Sequence, residues 1–547
     1  MARIGKYVID SLTRSMYEDS RCIYREYIQN AADQIDIARE QHLEENDYYE
    51  IHVRIFRNQR RIEIEDTATG VSAANRDTLK DVATSQKERG KRKGFRGIGR
   101  LGGLGYCTTL TFETSYKGEE VKTLMHWDAA EMNRIVDDEF DESEAGNVID
   151  ECTSFEEQPE LADKHYFKVI MENVTDERLL DVNNIRDYLS MVAPVDFPTQ
   201  FGVFASKIKN YVHQNGITLD TYNIYVGEEY DGEQIYKSYT TKIKDTRNIK
   251  DKDRKGEYDI KDVKIFDKRN SDGNLIYWGW YSISELPGQI PSYNVAYGIR
   301  LRCKNIQIGD ERTCRKFFLA EGDKRFSQYF FGELHVVTTQ LMPDARRDYL
   351  RKCEYRETFE NLVRQDFLEL KNLCTEASGI RGIIKSITDN DKKKKDIEKK
   401  RETGSFISET EIQKSNEDYE RFRKNKEKAL KQLERKKQET DNSGSPLGFI
   451  YNTLPTSVST SETPKAETSF ASEEPTSTGL AGVSEPIESP KPDNDIPKLR
   501  TDGDIYKKFG VKEKKVINAV YNAIYNAIVD DNMREGLIKQ IEKELTK

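Results

Sequence analysis

Long hydrophobic runs are missing from this chain of 547 residues. No stretch approaches the roughly 18 consecutive apolar residues that a membrane-spanning helix needs. The first residues, MARIGKYVIDSLTRSMYEDS, also lack the apolar centre of a secretory signal peptide. These absences predict a protein with no membrane partner and a cytoplasmic location.

Paired cysteines are missing as well. The seven cysteines are scattered, without a CxxC pair and without the His/Cys spacing of a zinc site. They are therefore interpreted as reduced, mostly structural thiols in a cytosolic compartment.

Apolar residues are few for a chain of this length. They make up 36% of the sequence against 34% charged residues, and the mean hydropathy is −0.81. Such a composition predicts two to four domains, with part of the chain exposed or disordered. The net charge of −10 argues against indiscriminate nucleic-acid binding, although local basic patches could still bind nucleic acid.

The changes in pattern along the chain predict an α+β protein of five segments. An ATP-binding-type α/β domain is expected over 1–200 and a middle or transducer-like α/β domain over 201–378. A charged helical or weakly coiled-coil segment follows over 379–440, then a disordered Ser/Thr/Pro/Glu-rich linker over 441–499 and a small helical domain over 500–547.

Periodicity predicts the main elements of the first two segments. Residues 20–39 repeat apolar positions at helical spacing, whereas 51–56 and 61–65 alternate as antiparallel strands joined by a turn. Strand candidates of the second segment are 223–226, 275–282, 295–301, 305–308 and 334–338, and a helix is expected over 357–374.

The segment EYIQNAAD at 26–33 is the first candidate for chemistry. Glu26 and Asn30 are four residues apart and project from one helix face, with Asp33 continuing that face. The carboxylate could accept a proton from a water that attacks phosphorus, and the amide oxygen suits Mg2+. A solvated polar helix face is the commoner explanation of such spacing in isolation.

Two further segments follow in order. EDTATG places Asp66 at a strand end, where its carboxylate could accept a bond from an adenine amine, and Gly70 permits a close backbone approach. GFRGIGRLGGLG supplies Gly94, Gly97 and Gly99, whose backbone amides could surround phosphate oxygens at the start of a helix. Neither a Walker A ending nor a dinucleotide fingerprint is present.

Together these segments resemble the GHKL ATPase superfamily, in the order E-x-x-x-N-[AS]-x-D, D-x-x-x-G and G-x-x-G-x-G. Its members include HtpG-type heat-shock chaperones, gyrase B subunits, MutL, MORC proteins and sensor histidine kinases, and HtpG-type and MORC-like proteins are the nearest in pattern. The resemblance implies a Bergerat-type sandwich of helices on a mixed, largely antiparallel sheet that binds ATP and Mg2+ under a mobile lid.

The resemblance also assigns roles. Glu26 matches the water-activating glutamate and Asn30 the Mg2+-binding asparagine. Asp66 matches the adenine-reading aspartate and Gly70 the glycine beside the base. The phosphate loop corresponds to Gly94, Gly97, Ile98 and Gly99, and the lid to 84–92 with Ser85 and Lys87.

Two departures stand out. Ala68 replaces the first glycine of the usual D-x-G-x-G, and no threonine is evident near 164–167, where a later strand normally supplies one. The retained Glu26 favours the hydrolysing branch over the histidine kinases. The six histidines offer no phosphoacceptor on a helix pair, and His335 is interpreted as a packing residue.

The second segment adds one candidate. LMPDARRDYL at 341–350 places Arg346 and Arg347 just beyond a strand, and it resembles the middle-domain loop that delivers an arginine to the γ-phosphate in HtpG-type chaperones. A surface salt-bridge pair with Asp344 and Asp348 explains the arginines equally well, and spacing does not choose between the two.

The resemblance implies a homodimeric ATP-driven clamp in which an N-terminal strap, 1–20, contacts a second subunit. The leading hypothesis is a chaperone-like ATPase that remodels a protein client. One alternative is a MORC- or MutL-like clamp on nucleic acid in a prokaryotic defence setting, suggested by the basic lid and the Lys-rich stretch 391–436. The other is a non-catalytic nucleotide-gated scaffold.

Overall fold

The computed structural model describes residues 3–84, 93–94, 97–245 and 256–453, together with scattered residues between 510 and 543. The chain divides into two compact units, 1–461 and 462–547. In the second unit, Ile517 and Tyr521 are buried, and Ile538 and Ile541 pack against them. Most of the predicted linker lies outside the described residues. None of the described helices is long and apolar enough to cross a membrane.

The first part of unit 1 is built on one large sheet. Its elements are α1 Tyr7–Leu12, α2 Cys22–Glu40, β1 Glu50–Phe56, β2 Arg61–Asp66, β3 Thr109–Ser115, β4 Val121–Asp128, α3 Ala129–Asp137, α4 Ala145–Glu151, β5 Thr153–Pro159, β6 Tyr166–Glu172, α5 Val182–Val192, α6 Gly202–Gln214, β7 Asn223–Glu228 and β8 Asp231–Gln234. The strand order is β5-β4-β3-β6-β2-β1-β7-β8. Every neighbouring pair is antiparallel except β1 and β7. The predicted α+β class, with helices on a mixed, largely antiparallel sheet, is confirmed.

Helix α2 packs on this sheet through the face that the sequence predicts. Ile23, Tyr27, Ala31, Ile35 and Ala38 recur at helical spacing and are all buried in the core. In β1 buried positions alternate with partly exposed ones as far as Ile55, as expected of a strand that buries one side, whereas β2 also buries Glu63 between Ile62 and Ile64. Packing of its apolar face therefore sets the orientation of α2, so that its polar face points toward the strand ends and the loops that follow them.

The first sheet extends beyond residue 200. β7, predicted as a strand of the second segment, pairs in parallel with β1, with Ile51 opposite Ile224. A parallel pair needs a long crossover, and the crossover that leads into β7 contains α5 and α6. The domain boundary at 200 stays a prediction, but the sheet itself includes β7 and β8.

A second sheet follows. Its elements are β9 Lys242–Lys244, β10 Glu257–Asp259, β11 Asp262–Arg269, β12 Leu275–Ile283, β13 Gly298–Cys303, β14 Ile306–Ile308 and β15 Phe331–Val336. β9 and β10 form a separate pair, and the other five are ordered β11-β12-β15-β13-β14. Four of these strands coincide with sequence predictions to within a few residues. β9, β10 and β11 were not predicted from the sequence, and in β11 only Val263 is fully buried.

A buried charge cluster lies where the chain leaves the first sheet for the second. Glu333 accepts hydrogen bonds from Lys237 Nζ at 2.8 and 2.9 Å and from Tyr239 at 3.0 Å, and Arg302 Nε lies 2.5 Å from it. Burial lowers the pKa of Lys237 to about 7. Although burial alone would raise it, Arg302 and Lys237 hold the pKa of Glu333 well below its usual range. His335 stacks on Trp278 at 4.3 Å, so the predicted packing role is confirmed.

Two long helices follow the second sheet, and a 3₁₀ helix at Gly448–Thr453 packs against both of them. The predicted helix 357–374 is the beginning of α7, Glu354–Glu402, and α8, Glu409–Ser443, returns antiparallel to it. Lys426 bonds to Asp391 and Thr440 to Glu376 across the pair. The charged segment, 379–440, was predicted as a long helix or weak coiled coil. The structure has helix over most of it, with a division at 403–408, where Gly404 adopts a left-handed conformation and Ser408 caps the next helix.

Candidate active site

A cavity of about 850 Å3 lies between the polar face of α2, the end of β2 and the glycine-rich loop. This volume is within the range of ordinary ligand sites. Nine of the sequence-predicted site residues line it: Glu26, Asn30, Asp66, Gly70, Gly94, Gly97, Ile98, Gly99 and Arg347. Asp33 and Arg346 do not line it, and Ser85 and Lys87 lie outside the described residues.

Glu26 is held between two arginines. Its side chain is 9% exposed, and Oε1 accepts from Arg25 Nε at 3.2 Å and from Arg25 Nη2 at 3.1 Å. Arg347 Nε lies 3.7 Å from the same oxygen. A methyl group at Gly99 would stand 2.7 Å from Oε2. One carboxylate oxygen is thus occupied by guanidinium groups, while the other faces the glycine loop.

Asn30 and Asp33 meet the start of that loop in different ways. Asn30 lines the cavity, and its Oδ1 would be 3.6 Å from a methyl group at Gly94. Asp33 is fully buried and accepts from the backbone nitrogens of Lys93 at 2.7 Å and Gly94 at 2.9 Å. Asp33, predicted to bind the cofactor, therefore lies beneath the loop and anchors it.

Lys93 fixes the same point from its side chain. Its Nζ lies 2.6 Å from Asp36 Oδ2, 3.1 Å from Asp220 Oδ2 and 2.5 Å from the Tyr222 hydroxyl. In the sequence, Lys93 is the last residue of the basic run KERGKRK at 87–93. Its burial between two carboxylates gives it a structural role, which sequence spacing could not reveal because Asp220 is far away in the chain.

Glycine is required in the glycine-rich loop where other atoms of the chain lie too close to leave room for a side chain. Gly97 has φ +69°, and a methyl group there would be 2.3 Å from the Thr84 carbonyl oxygen. The segment Gly99–Gly105 forms a 3₁₀ helix, where a helix start was predicted, and Gly103 N donates to the Tyr27 hydroxyl at 3.0 Å. Because the loop lies directly on α2, its backbone stands close to the polar face of that helix.

Asp66 and Gly70 form the opposite end of the cavity. Asp66 is 4% exposed, lines the cavity and accepts from Ala68 N at 3.1 Å. Gly70 has φ +65°, and a methyl group there would be 1.9 Å from the Ser115 carbonyl oxygen. His165 Nδ1 donates to the Ala68 carbonyl at 2.7 Å. The alanine that replaces the usual glycine is thus buried, and its carbonyl is already bonded.

The wall beside Asp66 is apolar. β6 pairs with β2 so that Phe167 stands opposite Asp66, and both Phe167 and Val169 line the cavity. Ile64 and Leu79 line it as well. No threonine from β6 lines the cavity, in agreement with the departure seen in the sequence. The wall offers carbon surface for a flat ring, with the Asp66 carboxylate as its nearby polar group.

The loop 341–350 brings the second sheet to the cavity. Arg347 is 7% exposed with φ +57°, and its Nη2 donates to the Lys93 carbonyl at 2.5 Å. Arg346 is exposed, and its backbone carbonyl accepts from Arg25 Nη2 at 3.0 Å. Among the described residues, Arg347 is thus paired with Glu26 rather than with Asp344 or Asp348.

Two more polar side chains, Arg100 and Tyr17, lie at the glycine-rich loop. Arg100 lines the cavity and donates to the Asp81 carbonyl, and burial lowers its pKa. Tyr17 is buried against Ile98, and its hydroxyl has no hydrogen-bond partner among the described residues. Burial, and next the negative charge of Glu26, raise the pKa of Tyr17. The Tyr17 hydroxyl therefore stays protonated at neutral pH.

The described residues fit a divalent cation only in part. They contain no group of three or more His, Cys, Asp or Glu side chains that could hold a metal ion. Asn30 lines the cavity with its Oδ1 near Gly94, and the buried Oε1 of Gln29 has no hydrogen-bond partner in the described part of the chain. Mg2+ commonly takes one or two protein ligands together with substrate phosphates and water, and this donor set suits such an ion.

Comparison with known families agrees with this geometry. Residues 26–158 match the family described as histidine kinase-, DNA gyrase B-, and HSP90-like ATPase. The match runs from Glu26 in α2 to the end of β5 and includes Asp66 and the glycine loop. The match covers only this part of the chain, and it supports the GHKL superfamily for the domain that contains the cavity. No curated protein matches the chain.

Proposed function

We propose that this chain binds ATP with Mg2+ and hydrolyses it to ADP and phosphate, and that the cycle opens and closes a dimeric clamp. The observation that carries this proposal is the convergence of Glu26, Arg347 and the glycine loop in one cavity, whose other end has Asp66 beside an apolar wall. Glu26 can serve as a general base, Arg347 as a positive charge for phosphate, the glycine loop as a phosphate-binding backbone and Asp66 as the group that recognises adenine.

Glu26 would act as the general base. Its free oxygen faces the Gly99 backbone, where a water could stand between the carboxylate and a bound γ-phosphate. Bound Mg2+ would supply charge neutralisation on the phosphates, with Asn30 as its protein ligand. Arg347 would leave Glu26 for phosphate oxygens, since its fork can meet them bidentately. Binding would thus release Glu26 from one of its two arginines.

Asp66 would select the base. A carboxylate accepts a bond from the exocyclic amine of adenine, whereas guanine carries an oxygen acceptor at the corresponding position. A buried acceptor facing another acceptor is costly. We therefore expect ATP to bind more tightly than GTP.

Calorimetry with ATP and GTP, paired with a phosphate-release assay, tests this function. The wild-type chain should bind ATP in the presence of Mg2+ and release phosphate, and Asp66→Asn should weaken ATP binding itself. Wild-type protein that binds neither nucleotide would overturn the proposal. Tight ATP binding without any turnover would instead support the non-catalytic scaffold.

A homodimer is part of the proposal. Lys6 and Arg14 of the N-terminal strap are held on the same chain, by the Ile135 carbonyl at 2.7 Å and by Asp137 at 2.6 Å. Ile4 and Tyr7 of this strap are 64% and 59% exposed. We infer that a second copy covers these side chains when ATP is bound. Mass measurement in a non-hydrolysable ATP analogue should show a dimer, and a monomer at every concentration would contradict this inference.

The target of the clamp has two candidates. Remodelling of a protein client rests on the order of pocket, middle region and terminal helices. A specific feature of α8 favours nucleic acid: residues 421–437 contain nine basic and two acidic side chains. Lys424, Lys428, Lys431 and Arg435 line one shallow surface depression together with Glu427 and Gln432, and Lys431 and Arg435 are paired with Glu427 and Glu439. They span about 16 Å of helix, and neither Lys424 nor Lys428 has an acidic partner among the described residues.

The salt dependence of ATPase stimulation separates these candidates. If α8 binds a phosphate backbone, duplex DNA or RNA should stimulate ATP hydrolysis, and the effect should fall steeply with salt. Replacing Lys424, Lys428 and Lys431 with Gln should reduce both the stimulation and the salt slope. Unchanged hydrolysis with every nucleic acid, together with suppression of aggregation of a denatured test protein, would favour the protein client.

A further inference from the structure

Gln29 is a buried polar residue of the cavity that neither the motif nor the proposed reaction uses. It lies on α2 between Glu26 and Asn30, is 3% exposed and lines the cavity. Its side-chain oxygen, Oε1, is buried and has no hydrogen-bond partner among the described residues. A buried carbonyl oxygen without a donor costs free energy, and native proteins contain few of them. The position therefore indicates a donor that arrives with a ligand.

The side chain stands at the start of the phosphate loop. A methyl group at Gly94 would be 2.4 Å from Gln29 Nε2, 3.4 Å from Asp33 Oδ2 and 3.6 Å from Asn30 Oδ1. Three side chains of α2 thus converge on one glycine. At position 94 any side chain would displace the Gln29 amide, so the chain has glycine there. The neighbouring side chain, Asn30, has the amide oxygen that suits a metal ion.

The chemistry of the ligand limits what the donor can be. The phosphate oxygens of ATP are acceptors, so they cannot satisfy a carbonyl oxygen, and the adenine amine is assigned to Asp66 at the opposite end. The ribose hydroxyls are donors, but they lie on the adenine side of the triphosphate, whereas Gln29 stands at Gly94 of the phosphate loop. Mg2+ keeps several of its waters when it binds a protein. Such waters are strong donors, and groups that accept from them orient the ion and raise its affinity.

We propose that Gln29 is a positioning residue for Mg2+, in which Oε1 accepts a hydrogen bond from a water bound to the ion held by Asn30. The inference rests on the proposed binding of ATP with Mg2+. It assigns to this chain a second side-chain amide, which contacts the ion through a bound water. Gln29 touches neither the attacking water nor phosphorus in this role.

The test is the gain in nucleotide affinity that Mg2+ provides. Binding of a non-hydrolysable ATP analogue is measured by calorimetry with Mg2+ and with EDTA, for wild type and Gln29→Met. Methionine has similar length but no strong acceptor. The loss of one hydrogen bond should reduce the Mg2+-dependent gain by about fivefold, while affinity in EDTA stays at the wild-type value. Gln29→Glu keeps the acceptor and should retain or increase the gain.

Gln34→Met is the matched control. Gln34 is on the same helix and lines the same cavity, but its Oε1 accepts from Thr69 at the base-reading end at 2.9 Å. Any loss of affinity in this variant should be equal with Mg2+ and with EDTA, so its Mg2+-dependent gain should match wild type.

Each other outcome has a definite meaning. An equal loss for Gln29→Met in Mg2+ and in EDTA would show that Gln29 contacts the nucleotide itself, and would overturn the proposal. An unchanged gain in Gln29→Met would also overturn it. Wild-type protein that binds no nucleotide would contradict the proposed function, a result distinct from either of these.

Discussion

Gly99→Ala probes the geometry of Glu26 without changing a charge. The added methyl group would stand 2.7 Å from Glu26 Oε2 and 3.2 Å from Glu26 Cβ. Gly99 does not have a positive φ, so alanine itself is not strained there. The contact with Glu26 is therefore the main consequence of the substitution.

The magnitude follows from the contact. To reach ordinary contact distance the carboxylate oxygen must withdraw by about 0.7 Å, and Arg25 and Arg347 restrict that movement. Overpacking of this kind costs about 1–3 kcal/mol of folding stability. A displacement of nearly 1 Å of a catalytic group lowers kcat by roughly 10- to 100-fold. ATP affinity should change by less, because Asp66 and the apolar wall are distant from Gly99.

The assay is steady-state phosphate release together with ATP binding by calorimetry. Gly146→Ala is the control, since a methyl group at Gly146 meets nothing within 4 Å and the residue is in helix α4. Its kcat should equal that of wild type. If Gly99→Ala hydrolyses ATP at the wild-type rate, the assigned position of the Glu26 carboxylate is wrong.

Three further predictions concern charged groups. Arg347→Met should lower kcat by about a hundredfold or more through loss of its charge at the γ-phosphate. The kcat of Arg346→Met should stay within about twofold of wild type, because the Arg346 side chain is exposed. An equal loss of kcat in both variants would contradict the assignment of Arg347. Glu333→Gln should lower the free energy of unfolding, measured by urea denaturation, by about 3–5 kcal/mol, because it leaves Lys237 and Arg302 buried without their carboxylate. A loss below about 1 kcal/mol would contradict this role of Glu333. Burial lowers the pKa of His335 to about 4, while the unfolded chain has a value near 6.5. The unfolded state therefore binds the extra proton first, so this residue contributes stability above pH 6.5 that is lost as the pH falls toward 4, by up to about 1.4 kcal/mol per pH unit. The unfolding free energy of His335→Phe should fall less over that range, and an identical pH profile would argue against it.

The sequence predicts the elements around the site because their patterns are local. Helix α2 and strands β1 and β2 have clear periods of 3.6 and 2, and the glycines mark positions where the backbone approaches α2. The division of the charged segment was also signalled locally, since Ser408 and Glu411 have the spacing of a helix-capping pair.

The remaining parts of the site depend on contacts between distant residues. Arg25 is bonded to the carbonyl of Arg346, 321 positions away, and Lys93 is paired with Asp220, which lies just before β7 and also far from it in the sequence. No local pattern indicates which of two adjacent arginines turns inward. That choice follows from the left-handed conformation of Arg347, which only the folded loop reveals.

The central claim is that Glu26 activates water for ATP hydrolysis in this cavity. Single-turnover release of phosphate from bound ATP, compared between wild type and Glu26→Gln, tests it most directly. The account predicts ATP affinity within about threefold and a phosphate-release rate at least roughly 100-fold lower in the variant, in line with loss of a general base. Release at the same rate from both proteins would contradict it.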